Sequence, residues 1–206
     1  PRSTQGVSSA ASDVYKRQID YHRHALAGQF EIWRKQAPVS HFLDGNKLPA
    51  ETRTKLAYAV EVRDFAFDRL ALPDNGSYRD YVRLDRDFVV WNVFVTPKLS
   101  LDPIQFCYPF LGCFGYRGFF SQDRAKHYTK KLTQQGHDVF MGGVAAYSTL
   151  GWFDDPLLSS IIRREKTGIA ELIFHELAHQ KLYVKDDTSF NESFAMAVAS
   201  AGLRLW

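Results

Sequence analysis

The sequence predicts an α+β domain with a small, antiparallel-leaning sheet, and three observations lead there. Helical apolar spacing dominates residues 19–72 and 169–205, aromatic and β-branched runs fill the stretch between 88 and 144, and the two kinds of pattern are segregated more than they alternate. At 206 residues, with 45% hydrophobic, 15% aromatic and 24% charged side chains, the chain has a folded profile and enough length to bury a core without disulfide staples. No apolar run approaches the roughly 18 to 20 residues that span a bilayer.

Residues 1–18 stand apart. They are Ser/Ala-rich and lack the apolar core of a secretory leader, and Asp13-Val14-Tyr15-Lys16-Arg17-Gln18 resembles one reading frame of an adapter ligated to DNA fragments before sequencing. The expectation is a non-native lead-in over 1–18 and a single domain over 19–206, truncated at both ends. At the far end Leu203-Arg204-Leu205-Trp206 continues a helical pattern with no Gly, Asn or Pro stop.

Two amphipathic helices are expected over 19–36 and 49–72, the second with Leu56, Val60, Phe65 and Leu70 on its apolar stripe and Pro49 in its first turn. Leu72-Pro73-Asp74-Asn75-Gly76 supplies the terminating turn. Phe88 to Val95 then reads as a buried strand, and Ile104 to Cys107 with Cys113 to Phe120 as a hairpin around 108–112. Cys107 and Cys113 flank that loop, so a bridge and a pair of half-buried thiols are both open. A polar helix is expected over 121–135, closed by Gly136, followed by a short strand over 138–144 with glycines at 142 and 143.

The chemistry is concentrated in His175-Glu176-Leu177-Ala178-His179, set in a helical pattern with Ile169, Leu172, Ile173, Leu177 and Leu182 as its apolar stripe. Residues four apart share one helix face, so the two imidazoles can address one ion while Glu176 reaches a water activated by it. Five residues recur by chance, and a surface helix with two histidines is the plain alternative. A third ligand is needed, and Glu192 is the candidate. Lys185-Asp186-Asp187-Thr188 breaks the pattern before a second helix near Ser189, so the two helices form an antiparallel hairpin and Glu192 falls level with His179. Asp186 and Asp187 lie in the turn, with poorer reach. Glu192 could instead close a capping box on Ser189, unless Asp187 or Thr188 caps that helix. Ala195 and Ala199 are small enough for close helix approach.

His175-Glu-Leu-Ala-His179 followed by Phe190-Asn-Glu-Ser-Phe-Ala195 resembles the glutamate-zincin metallopeptidases, whose second helix carries an Asn-Glu-x-x-Ala segment. The runs Leu72 to Tyr78, Cys113 to Gly118, Tyr147 to Pro156 and Tyr183 to Thr188 are similar to the bacterial putative aminopeptidase family. That resemblance implies a zincin-like metallopeptidase domain, one Zn²⁺ held by His175, His179 and Glu192, Glu176 as general base, and a peptide substrate. It also implies residence in the periplasm or on a membrane through a lipoprotein anchor lost from this chain, where the cysteines could oxidise. Tyr147 is a candidate oxyanion donor, though tyrosines near strand ends more often pack. The strand over 139–144 is a candidate edge for an extended peptide, which would explain its glycines. Glu171, one turn before His175, could hold a substrate ammonium or be a solvated residue.

The net charge of +3 is mostly local, since Arg2, Lys16 and Arg17 against Asp13 place +2 of it in the first 18 residues. With no basic stripe and no nucleic-acid motif, nucleic acid is not an expected partner. Histidines 22, 24, 41, 127 and 137 read as surface residues. Two rivals stand beside the aminopeptidase expectation: a zinc endopeptidase, and a non-catalytic scaffold that keeps the fold. Glu176 argues against the second, because a purely structural metal site has no use for a base.

Overall fold

The computed structural model describes residues 5–44, 47–108 and 112–206, with side chains from residue 20 onward. Tyr108 to Gly112, the expected hairpin loop, therefore lies partly outside the described residues. The chain divides into Pro1–Lys35 and Gln36–Trp206. Among its described residues the first unit is one helix, α1 (Gln5–Lys35), which begins well before the expected Ile19. Between Val7 and Lys35 there is no proline and one glycine, so nothing in the lead-in interrupts a helix.

The second unit runs β1 (Ala37–Pro38), α2 (Val39–Leu43), α3 (Ala50–Leu70), β2 (Asp80–Val82), β3 (Val90–Thr96), β4 (Phe106–Tyr108), β5 (Gly112–Phe114) and β6 (Tyr116–Phe119). It continues with α4 (Gln122–Gln134), β7 (Asp138–Val144), β8 (Leu157–Leu158), α5 (Ser159–Ile162), α6 (Lys166–Lys181) and α7 (Thr188–Leu205). The α+β class holds, but the sheet is three small sheets: β1-β2-β8, β6-β3-β7 and β4-β5. All pairings are antiparallel except β2 with β8, where Tyr81 lies opposite Leu157 in parallel register.

The expected strand over Cys113–Phe120 is broken at Gly115, its first part pairing with β4 and its second with β3. β3 is covered on one side rather than both. Trp91, Val93 and Val95 pack under Ala125, Tyr128 and Leu132 of α4, while Phe94 faces outward against Tyr116 and Phe140. Phe88 lies before the strand, its ring occupying the place where a side chain on Gly143 would stand. Internal packing therefore accounts for that glycine without a bound peptide. Ser121 caps α4 by accepting from Arg124 N.

The main core joins α3, α6 and α7. Leu56, Ala59, Val62 and Ala66 of α3 are buried, as are Ile169, Ile173, Phe174 and Leu177 of α6 and Ala195 and Ala199 of α7. Each large aliphatic or aromatic member contributes about 1.5–3 kcal/mol by leaving water. The buried seam of α3 is thus richer in alanine than the expected Leu56-Val60-Phe65-Leu70 stripe, because small residues let α6 approach. Leu182 lies past the end of α6 and is exposed. A Cβ on Gly202 would meet Phe174 and Leu70 at 2.8 Å, so only glycine lets α7 close onto both neighbours. Trp206 caps the assembly, donating from its indole N–H to Tyr58 Oη at 2.7 Å and meeting Phe65 edge-on. Among the described residues no helix is long and apolar enough to cross a membrane.

Candidate metal centre

His175 and His179 sit one turn apart on α6, with ring centroids 4.7 Å apart and planes nearly perpendicular. Their Nε2 atoms are 3.1 Å from each other. Glu192, on the first full turn of α7, brings Oε2 to 3.3 Å from His175 Nε2 and Oε1 to 3.7 Å from His179 Nε2. One donor atom from each residue falls in a cluster no wider than 4.8 Å, the candidate metal site among the described residues.

Ligands about 2.0–2.1 Å from a tetrahedral centre lie about 3.3–3.4 Å from one another, and the observed separations scatter around that edge length. Two imidazoles and a carboxylate are also the donor chemistry of a small divalent cation such as zinc. His179 turns Nε2 into the cluster, and its Nδ1 is buried with no hydrogen-bond partner among the described residues. These three residues could hold such an ion. Glu192 keeps 54% of its side chain exposed, which leaves the cluster open to solvent on that side.

The α6–α7 turn explains why Glu192 arrives here. Asp187 caps α7, its carboxylate accepting from Phe190 N at 2.9 Å, so Glu192 is not used in a capping box. Asn191 is buried and clamps the turn twice, accepting from Val184 N at 2.8 Å and donating to Val184 O at 2.7 Å. Asp186, held at φ 64°, accepts from Cys113 N at 3.0 Å. Both turn aspartates are therefore occupied elsewhere. Cys107 and Cys113 are directly opposite on β4 and β5 and form a disulfide, so the covalently closed hairpin is tied to the turn beside the site.

The electrostatics follow the geometry. Contact with Glu192 raises the His175 imidazolium above its usual range, and the same contact lowers Glu192 below the usual carboxylate value. Burial pushes His179 down, towards the neutral form a metal ligand must have. Burial pushes Glu176 up to about 7, helped by the nearby Glu192 and Asp155 charges and opposed by His175. The Glu176 carboxylate has no hydrogen-bond partner among the described residues.

A polar network that sequence reasoning missed lines the other side of α6. Gln180, one turn past Glu176, accepts from Asn75 Nδ2 at 2.7 Å and donates to Ser77 Oγ at 3.2 Å and Asp155 Oδ2 at 3.0 Å. Asp155 is buried, which raises its carboxyl, and also accepts from Thr149 N at 3.0 Å. Arg63, buried on α3, braces the 74–77 loop by donating to Asp74, Asn75 O and Ser77 O. Its traces in the sequence are the turn Leu72-Pro73-Asp74-Asn75-Gly76 and the family-like runs Leu72 to Tyr78 and Tyr147 to Pro156, and none of them discloses the pairing with Gln180.

The remaining candidates are placed as follows. Tyr147 lies just beyond β7 and packs its ring edge-on against Phe120 at 6.0 Å. Glu171 is exposed, one turn before His175, and acts on it through its charge. Among the described residues β7 is an edge strand, paired only with β3. Histidines 22, 24, 41 and 127 are exposed and His137 is half-buried.

A family model described as "Putative aminopeptidase" matches residues 20–206. No curated protein and no solved structure matches the chain.

Proposed function

The chain belongs to the "Putative aminopeptidase" family, and from that premise we propose that it is a zinc-dependent peptide hydrolase acting as an aminopeptidase. One observation carries this reading: two imidazoles and a carboxylate converge within 4.8 Å, and Glu176, next in sequence to one of them, has a carboxylate with no hydrogen-bond partner among the described residues. His175, His179 and Glu192 would hold the ion. Bound there, Zn²⁺ supplies a Lewis acid that polarises a peptide carbonyl and lowers the pKa of water towards ~7.

Glu176 takes a proton from the attacking water and returns it to the leaving amine as the peptide C–N bond breaks. Its burial-raised carboxyl, near 7, suits both the taking and the giving of that proton at neutral pH. Tyr147 is the candidate O–H donor to the carbonyl oxygen as charge gathers there. The free edge of β7 offers backbone groups along which an extended peptide can lie. The Cys107–Cys113 bridge favours a setting outside the cytoplasm, in the periplasm or at a membrane through a lipid anchor.

The test compares the protein with Glu176→Gln for zinc content and for hydrolysis of aminoacyl and internally quenched peptides. One zinc per chain in both, with aminoacyl hydrolysis lost by at least about 1,000-fold in the variant, is the expected result. Zinc retained with both proteins inert on broad peptide sets would make the chain a scaffold. Cleavage of internal bonds alone would make it an endopeptidase.

A further inference from the structure

A cleft of about 450 Å³ opens in the Gln36–Trp206 unit between the start of α3, the residues after β2 and α5. None of its wall residues belongs to the metal cluster. The parallel β2–β8 pair builds it. Tyr81 lies opposite Leu157, so both strands leave in the same direction, and the residues that follow them supply two of the walls. Ser159 ties these walls together by accepting from Leu84 N at 2.9 Å. Leu48, Pro49 and the first turn of α3 form the third. The volume falls within the roughly 300–1,000 Å³ of small-molecule sites.

The walls carry donors that the protein itself does not use. Tyr81 is 2% exposed and its ring meets Phe42 edge-on at 5.1 Å, yet its hydroxyl makes no hydrogen bond among the described residues. The Tyr78 hydroxyl is sealed from solvent; that of Tyr81 is not, and the open space that Tyr81 borders is this cleft. Burial pushes the Tyr81 phenol up, against the charges of Arg83 and Arg163 in the same walls, so the hydroxyl keeps its proton and can donate it. Arg83 is exposed and has no partner among the described residues. Pro49 gives the 21-residue α3 no side-chain cap, and first-turn N–H groups have no acceptor within their own helix.

The charge balance narrows the ligand. Lys55, paired with Glu51 at 3.0 Å, and Arg163, paired with Asp87 at 2.5 Å, line the cleft with Arg83, and these three cations face two lining carboxylates, Glu51 and Asp85. One positive charge is left over, which suits a monoanion better than a phosphate dianion. The buried Leu48, Leu84 and Ile162 offer an apolar surface beside it.

We propose that this cleft binds a small aliphatic monocarboxylate, its oxygens taken by the Tyr81 hydroxyl, the Arg83 guanidinium and the open first turn of α3, its hydrocarbon body lying against Leu48, Leu84 and Ile162. Simple organic acids and free amino acids share this chemistry. The latter add an ammonium, for which Glu51 and Asp85 stand in the same walls. Binding here requires neither the metal nor peptide hydrolysis.

The probes are 4-methylpentanoate, L-leucine, which is the same acid with an α-ammonium, and inorganic phosphate, each titrated by calorimetry into the whole chain, Tyr81→Phe and Arg83→Gln. Neither side-chain head bonds another described residue, so both variants should melt within about 2 °C of the parent. The parent should saturate with 4-methylpentanoate, and each substitution should weaken that binding about 10-fold or more. Leucine binding more tightly than 4-methylpentanoate assigns the cleft to free amino acids, and weaker binding assigns it to simple organic acids. A parent that saturates with neither acid, phosphate binding more tightly than both, or variants that bind as the parent does would overturn the proposal. So would binding that survives in both variants and disappears in Glu192→Ala, which would put the acid on the metal cluster.

Discussion

Asp155 shows how much of this site depends on single buried groups. Its carboxylate accepts from Thr149 N and Gln180 Nε2 and its backbone joins Ser77 and Tyr78, yet burial raises its pKa above the ordinary 3.8. A folded-state value above the unfolded one means that the folded protein holds the proton longer. The contribution of Asp155 is then most favourable below pH 3.8 and is lost as pH rises through the raised value. Asp155→Asn should remove that loss. Melting temperatures measured from about pH 3.5 to 7 should show the parent losing stability relative to the variant as pH rises, and a pH-independent difference would refute the assignment. His175, Glu176 and His179 could be read from the sequence because all three lie within two turns of one helix. Asp155, Gln180 and Tyr78 could not, because their partners lie up to 105 residues away.

At the scale of elements, α3 has a second task beyond burying its seam. Arg63 donates to Asp64, Asp74 and the carbonyls of Asn75 and Ser77, and so fixes the loop that faces α6. Arg63→Ala leaves the buried Ser77 carbonyl without this donor and should destabilise the protein by about 3 kcal/mol in denaturant unfolding, with Arg63→Lys recovering only part because lysine lacks the planar fork. A loss below about 0.5 kcal/mol would show that the loop holds itself. The long helices and the strand over 138–144 were legible from periodicity, and Ser121 and Asp187 act as the caps their side chains suggest. The two-residue strands β1 and β8, the short helices α2 and α5 and the parallel β2–β8 pair were not. Such elements carry too few residues for a period, and their pairing is set by tertiary packing. The register argument that placed Glu192 level with His179 worked because a helical hairpin is itself a local structure.

For the molecule as a whole, every residue proposed to hold the metal or to move the proton belongs to the Gln36–Trp206 unit, and the three proposed ligands come from two adjacent helices. The disulfide-closed β4–β5 hairpin reaches the same region through Asp186, so the centre is held from the core by Asn191 and from the surface by Cys113 N. The account stands on one coordination set. Zinc affinity, measured by competition with a chelating dye for the parent, Glu192→Ala, Asp186→Ala and Asp187→Ala, tests it most directly. Glu192→Ala should weaken binding by at least about 100-fold while the two turn variants stay within about tenfold of the parent. A parent that binds no zinc, or a Glu192→Ala protein that binds it as tightly as the parent does, would contradict the account.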